Sequence, residues 1–528
     1  MENKKQDFAP EFSSFLQKFI ERYVDAHSLK NDNDKTINSV LLYEKLRTAI
    51  EYQEDHLIFK NAISRILRRK YALSSGMSAE QMLSDLLSEL AWANYINPES
   101  LKSSDHENLA QIVRRYLTLL QTARSGRFKR HELQRLILDW CACEIDAALR
   151  PDCTRDILID YTCSVIKQNL ITGDARTSDA ETEMQLKISI YGLIFKPDYP
   201  LIQFWVINKI YPNWTKLSQE EIAKIGRSFD PFYNKIDHAL NHPLRRYYLQ
   251  YTKRYIAPFI LLYSVLTTKK LDMEKLKTQP AALHNMLMEE YTQKVAEVRK
   301  KVWGGTFRAL IFILLTKISL AFIVEIPFDR LLTGVVDLTS LLINISLPPF
   351  LMFVSGTFIK SPPAKNYQII STTFNNISLL GKTDDRRYTL LPKKNHTTEL
   401  IFNSIYFVFT LAILSGVIYL LIALKFNIVS ILFFFFFVSV VSFFSFRIRN
   451  LALELAMKRS RDDALTSVLE FLLLPFIRIG KFFSDKFAVF NPFILALDFL
   501  IEAPLKTVIK ILNSWLRFIN AKKEELEY

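Results

Sequence analysis

From residue 10 to about 300 apolar residues recur with the period of a helix, and polar residues fill the opposite face. In Ala79 to Ala93, for example, Met82, Leu83, Leu86, Leu87 and Leu90 form one stripe. Ser78 stands just before it with Glu80 and Gln81 in the first turn, the signature of a capped N-terminus in a favourable helix dipole. The same period predicts helices over Asn108 to Arg124, His131 to Leu149, Thr154 to Leu170, Glu181 to Phe195 and Pro280 to Trp303. Turn-forming residues at Ser125-Gly126, at Pro151-Asp152 and from Thr172 to Asp179 punctuate the series. Lys196 to Trp214, which carries Pro197, Pro200 and Pro212, reads as the least helical piece.

Beyond residue 300 the pattern changes to continuous apolar runs about as long as a bilayer is thick. They extend from Ala309 to Ile326, Leu338 to Ile359, Ile401 to Leu424 and Asn427 to Phe446, the last containing the unbroken run Phe433 to Phe437. Lys and Arg gather beside them on one side only. Arg299, Lys300, Lys301 and Arg308 precede the first run; Lys360, Lys365, Lys382, Arg386, Arg387, Lys393 and Lys394 lie between the second and third; Arg447, Arg449, Lys458, Arg459 and Arg461 follow the fourth. The two remaining connections carry only Arg330 and Lys425. Because short basic loops stay in the cytosol, the expectation is two helical hairpins with both termini inside a cytoplasmic (inner) membrane.

Within the segment between the hairpins, YQIISTTFNNISLL is rich in β-branched residues and suits one or two small strands. Past Arg461 the apolar stretches are interrupted by charge and proline. They read as amphipathic helices in the membrane interface, with Arg478, Lys481, Lys506, Lys510 and Arg517 toward headgroups; a re-entrant hairpin is the alternative. The expected architecture is therefore all-α: a cytosolic helical domain over 1–300, a first transmembrane hairpin over 301–360, a cytosolic loop over 361–400, a second hairpin over 401–447, and interfacial helices with a polar tail over 448–528.

Composition agrees. Forty Phe against 12 Gly favours long helices over turn-rich sheets. A net charge of +14 would suit nucleic acid, but the basic residues cluster at the flanks of the apolar runs without any nucleic-acid-binding motif, so nucleic acid is disfavoured as a partner. The first twenty residues lack the apolar core of a secretory signal. Cys141, Cys143, Cys153 and Cys163 are then expected as core thiols in a reducing compartment, since their spacing matches no usual zinc pairing.

Lys317 carries the sharpest chemical signal, because a cation near the middle of a span costs on the order of 3 kcal/mol unless it is paired or hydrated. Glu325 and Asp337 are the acids near it in sequence. They offer either a buried ion pair that fixes helix packing or part of an ion pathway. Pro348 and Pro349 interrupt the second run and free backbone carbonyls, as in a kink or in the broken helices of transporters. His238 and His242 share a helical face but lack a third ligand, which favours packing over metal. With no phosphate loop, nucleophile elbow or dinucleotide fingerprint, neither an enzyme nor a cofactor is expected.

LNHPLRR, followed by RALIFILLTKISLAFIVEIPFD, resembles membrane proteins of small, reduced-genome bacteria over residues 237 to 330. The resemblance implies a bacterial cytoplasmic membrane and transfers no functional residue. The functional expectation is a membrane-anchored scaffold that binds a protein partner through its helical domain. The alternative is a transporter or channel component using Lys317 and the Pro348-Pro349 break.

Overall fold

The computed structural model describes residues 7–28, 57–73, 76–93, 95–98, 101–172, 178–268, 279–333, 338–358, 364–390, 396–424, 426–453, 455–457, 464–489 and 515. The chain is mostly helical. In order come α1 (Pro10–Ser28), α2 (Ile58–Leu73), α3 (Ala79–Trp92), α4 (Ser103–Thr122), α5 (Arg130–Leu149), α6 (Arg155–Lys167), β1 (Leu170–Thr172), α7 (Asp179–Ile194), α8 (Tyr199–Ile210), α9 (Gln219–Arg227), α10 (Phe229–Leu240), α11 (Arg245–Lys253) and α12 (Ala257–Thr268). They are followed by α13 (Pro280–Leu320), a π turn over Ala321–Glu325, α14 (Ile326–Thr333), α15 (Leu338–Phe358), α16 (Ala364–Leu380), β2 (Tyr388–Leu390), α17 (His396–Ala423), α18 (Ile428–Ala452) and α19 (Ala464–Val489).

The chain divides into two compact units. One holds Met1–Gln293, Ala364–Lys393 and Ala456–Lys458; the other holds Lys294–Pro363, Lys394–Leu455 and Arg459–Tyr528.

In the first unit the capping signature at α3 forms as read: Ser78 accepts from the Gln81 backbone N–H, and the Gln81 side chain accepts from that of Ser78. The stripe from Met82 to Leu90 is buried. A dense aromatic core follows from helices that each bury one such stripe. Trp140 on α5 lies among Phe229, Phe232 and Tyr233 of α10, and its indole N–H donates to Gln203 on α8 at 3.2 Å. A buried polar knot ties α4 to α5. Arg115 pairs with Glu144 and donates to the Trp214 carbonyl at 2.7 Å, while Tyr116 donates to the other Glu144 oxygen at 2.8 Å.

Two local expectations are corrected here. Lys196 to Trp214 is not the least helical piece, because α8 occupies most of it. Pro200 sits in the first turn, where its missing N–H costs nothing, and Asp198 caps the end by accepting from Leu201 N–H at 3.2 Å. The segment YQIISTTFNNISLL forms α16 rather than strands. Ile370, Phe374 and Ile377 fall at helical spacing and are buried, and this packing overrides β-propensity. Phe374 meets Phe12 of α1 edge-on at 6.2 Å, so the segment between the expected hairpins completes the core of the first unit.

A strand does form nearby, at Tyr388–Leu390. It pairs in parallel with β1 in the register Leu170 to Tyr388, Ile171 to Thr389 and Thr172 to Leu390. Of the cysteines, Cys141, Cys143 and Cys163 are buried as expected, whereas Cys153 is exposed in the turn before α6 and not in a core. All four are free thiols.

Among the described residues, three helices are long and apolar enough to cross a membrane: Pro280–Phe328, Leu400–Ala423 and Ile428–Asn450, with mean hydropathy 2.3, 2.5 and 2.6. The first starts well before the expected span, since the helix expected to end at Trp303 continues without a break through Gly304-Gly305. The second expected span corresponds to α15, whose described apolar stretch, Leu341–Val354, is shorter. α19 packs along α18. A side chain at Gly480 would run into the Ser439 carbonyl oxygen, and Phe476 stacks on Phe435 at 5.8 Å. The expected later basic residues Lys506, Lys510 and Arg517 lie outside the described residues.

Candidate functional site: a buried ionic cluster among apolar helices

Lys317 and Glu325 both sit at zero exposure, and the ammonium donates to Glu325 Oε1 at 2.5 Å. Their contact depends on a local irregularity. An α-helix turns about 100° per residue, so eight residues would leave the two side chains about 80° apart around the axis. The π turn at Ala321–Glu325 absorbs one extra residue, which makes the step equivalent to about seven and aligns the pair to within about 20°. The remaining rise of about 11 Å is within reach of an extended lysine and glutamate together.

The second carboxylate oxygen is met from another helix. Asn344 on α15, also at zero exposure, donates through Nδ2 to Glu325 Oε2 at 3.0 Å, and lies 3.5 Å from the Ser430 carbonyl of α18. The ammonium is completed by aromatic faces: Lys317 Nζ lies 5.4 Å from the Phe433 ring centroid and 5.1 Å from that of Phe437. These two rings, four residues apart, come from the five-phenylalanine run. A cation without enough polar neighbours is thus held by one carboxylate and two ring quadrupoles. Three elements are tied at one point.

Of the residues singled out from sequence, the structure brings Lys317 and Glu325 together. Asp337 lies outside the described residues. Pro348 and Pro349 do not interrupt their helix: α15 runs through both as one element. Their rings remove the N–H donors that the carbonyls four residues earlier, those of Asn344 and Ile345, would take in a regular α-helix. Asn344 Oδ1 is itself buried without a hydrogen-bond partner.

Sequence reading missed Asn344, Ser430, Phe433 and Phe437 as members of the cluster. Asn344 left a usable signal, since it is the one amide in LLINISLPPF and stands four residues before the first proline. The aromatic contacts left none, because they depend on which face of α18 meets Lys317.

His238 and His242 lie with ring centroids 6.1 Å apart, and His242 Nδ1 accepts from the Leu244 N–H at 3.2 Å. Burial holds the His242 imidazole below its ordinary pKa. Among the described residues no group of three His, Cys, Asp or Glu is placed to hold a metal. The chain matches no family model, no curated protein and no solved structure. The resemblance read over residues 237 to 330 therefore gains no support from them.

Proposed function

We propose that this chain is a multi-pass membrane protein whose helical unit acts as an interaction module or scaffold at the cytosolic surface of a cytoplasmic membrane. In this reading α13 with its π turn, α15, α17 and α18 are the four spans. They form two hairpins, and both termini and the 360–399 segment are cytosolic. The observation that carries the reading is the contrast in how the helices are dressed. α17 exposes Phe402, Ile405, Phe407, Val408, Leu420 and Ile422, which suits hydrocarbon, while the other unit buries its aromatic residues in a core of its own. The basic residues beside the spans then lie on one side.

A transporter or channel component is the second reading, favoured by one observation: the unpartnered Asn344 Oδ1 beside a buried ion pair. Reconstitution of the full chain into vesicles separates the two. The scaffold reading expects Lys317→Met to leave ion and solute flux unchanged and expects cross-links to partners, formed in intact cells, to map to the helical unit. A folded Lys317→Met protein that loses a flux present in the parent would overturn it.

A further inference from the structure

The segment between the second and third expected spans ends in a turn and strand that the fold holds firmly. Asn169 donates through Nδ2 to Thr383 Oγ1 at 2.9 Å and to the Asp384 carbonyl at 2.8 Å, and its own carbonyl accepts from Tyr388 N–H at 2.8 Å. Tyr255 donates to Asp384 Oδ2 at 3.0 Å. The other acid, Asp385, pairs with Lys382 at 2.5 Å. Both acids of the stretch are thereby engaged elsewhere. Arg386 and Arg387, which follow at once, are exposed, and the Arg386 backbone N–H donates to Asp384 Oδ1 at 3.2 Å. Exposed Arg254 lays its guanidinium over the Tyr388 ring at 5.0 Å. Three exposed arginines, one of them distant in sequence from the other two, thus lie beside the start of β2.

We infer that Arg254, Arg386 and Arg387 form a docking patch for the phosphates of anionic phospholipids, which holds the helical unit against its own membrane. The inference rests on the topology proposed above, which supplies the occupant. Residues 359–363 join α15 to α16 and residues 391–395 join β2 to α17. At about 3.5 Å per residue, each linker reaches about 20 Å at most from a span end. A segment tied to the bilayer at both ends meets lipid phosphate before any other polyanion. Guanidinium matches phosphate in geometry as well as in charge. Asn169 and Tyr255 hold the turn that carries Arg386 and Arg387, which lowers the backbone ordering cost of binding.

The test uses the full chain carrying Cys153→Ser, with a fluorophore on Thr389→Cys, in nanodiscs that contain a lipid with a quencher on its headgroup. Quenching is expected to be several-fold stronger in discs containing phosphatidylglycerol than in phosphatidylcholine alone, and to fall at high salt. Each arginine is worth about fivefold in partition at low salt, so replacing all three with alanine should remove the excess quenching seen in phosphatidylglycerol discs. Unchanged thermal unfolding of the triple variant would show that the patch, not the fold, was removed. Equal quenching in the two lipids, or an undiminished response in the triple variant, would overturn the inference. So would an oligonucleotide that binds the chain in neutral discs while phosphatidylglycerol has no effect. A chain that fails to enter the discs overturns the membrane reading along with it, whereas one that enters without any composition response overturns the patch alone.

Discussion

The two units solve the same problem, a fully buried ion pair, with different materials. In the helical unit, Arg115 and Glu144 are surrounded by neutral hydrogen-bonding groups: the Trp214 carbonyl takes one guanidinium N–H and the Tyr116 hydroxyl serves the carboxylate. Among the apolar helices, Lys317 and Glu325 have one amide, Asn344, and two phenyl faces. The helical unit supplies a tyrosine hydroxyl and a backbone carbonyl. Helices made of continuous apolar runs have few such groups to lend, so the charge is completed by ring quadrupoles and by a π turn that brings the carboxylate round to the lysine's face of the same helix.

The comparison is broken most directly by stranding one charge in each unit. Glu325→Leu leaves Lys317 buried and unpaired, and Glu144→Leu does the same to Arg115; each should cost about 3–5 kcal/mol, read as lost folded protein in detergent or a lowered unfolding midpoint. The pair should differ in rescue. Lys317→Met with Glu325→Leu is expected to recover most of the loss, because apolar side chains suit that surrounding. The corresponding removal of Arg115 and Glu144 leaves the Tyr116 O–H without its acceptor, while the Trp214 indole at 3.1 Å and Leu217 N–H at 3.4 Å keep the Tyr116 oxygen and the Trp214 carbonyl engaged, and it should recover less. Equal rescue in both units would erase the distinction.

Close helix approach gives a smaller effect. Leucine at Gly480 meets the Ser439 carbonyl and the Phe443 Cβ, neither of which can swing away, so Gly480→Leu should cost about 1–3 kcal/mol. Gly226→Ala in the helical unit meets chiefly the Thr122 side chain. It should cost less if that hydroxyl rotates aside, as thermal unfolding of the two variants would show.

The smallest effects belong to the helical unit alone. The Ser125 hydroxyl and the Gly126 N–H hold the Asp230 carboxyl below its ordinary range. A carboxylate depressed in the folded state stabilises above its unfolded pKa, near pH 4, and that contribution is lost as pH falls through the lower folded value. Asp230→Asn should therefore lower stability at neutral pH, change it less at low pH, and so flatten the acid limb of stability against pH. Burial raises the Cys141 and Cys143 thiols and pushes Cys163 up to about 12. A maleimide at pH 7 should accordingly modify Cys153 and spare the other three until the chain unfolds.

Much of this was readable from periodicity. The helical character, the Ser78 cap and the apolar runs follow from spacing within a dozen or so residues. The errors share a cause, in that local propensity was trusted where position or packing decides. Pro200 looked like a breaker but occupies the one turn that tolerates it. The β-branched residues of α16 looked like strand, yet Ile370, Phe374 and Ile377 already formed a helical stripe waiting for α1. In the ionic cluster the charged pair was legible, being eight residues apart on one chain segment. Its alignment was not, because a π turn has no reliable signature in composition, and the partners on α15 and α18 are set by packing between helices.

The central claim is that the helical unit and the basic segment between the hairpins share one side of a membrane, opposite the short connection after the first span. In a Cys153→Ser background, single cysteines at exposed positions Arg330 and Thr372 report on the two sides. The account predicts that an impermeant thiol reagent labels Arg330→Cys in intact cells and labels Thr372→Cys only after permeabilisation. Labelling of Thr372→Cys from outside, or protection of Arg330→Cys alongside it, would contradict the two-hairpin topology and the function built upon it.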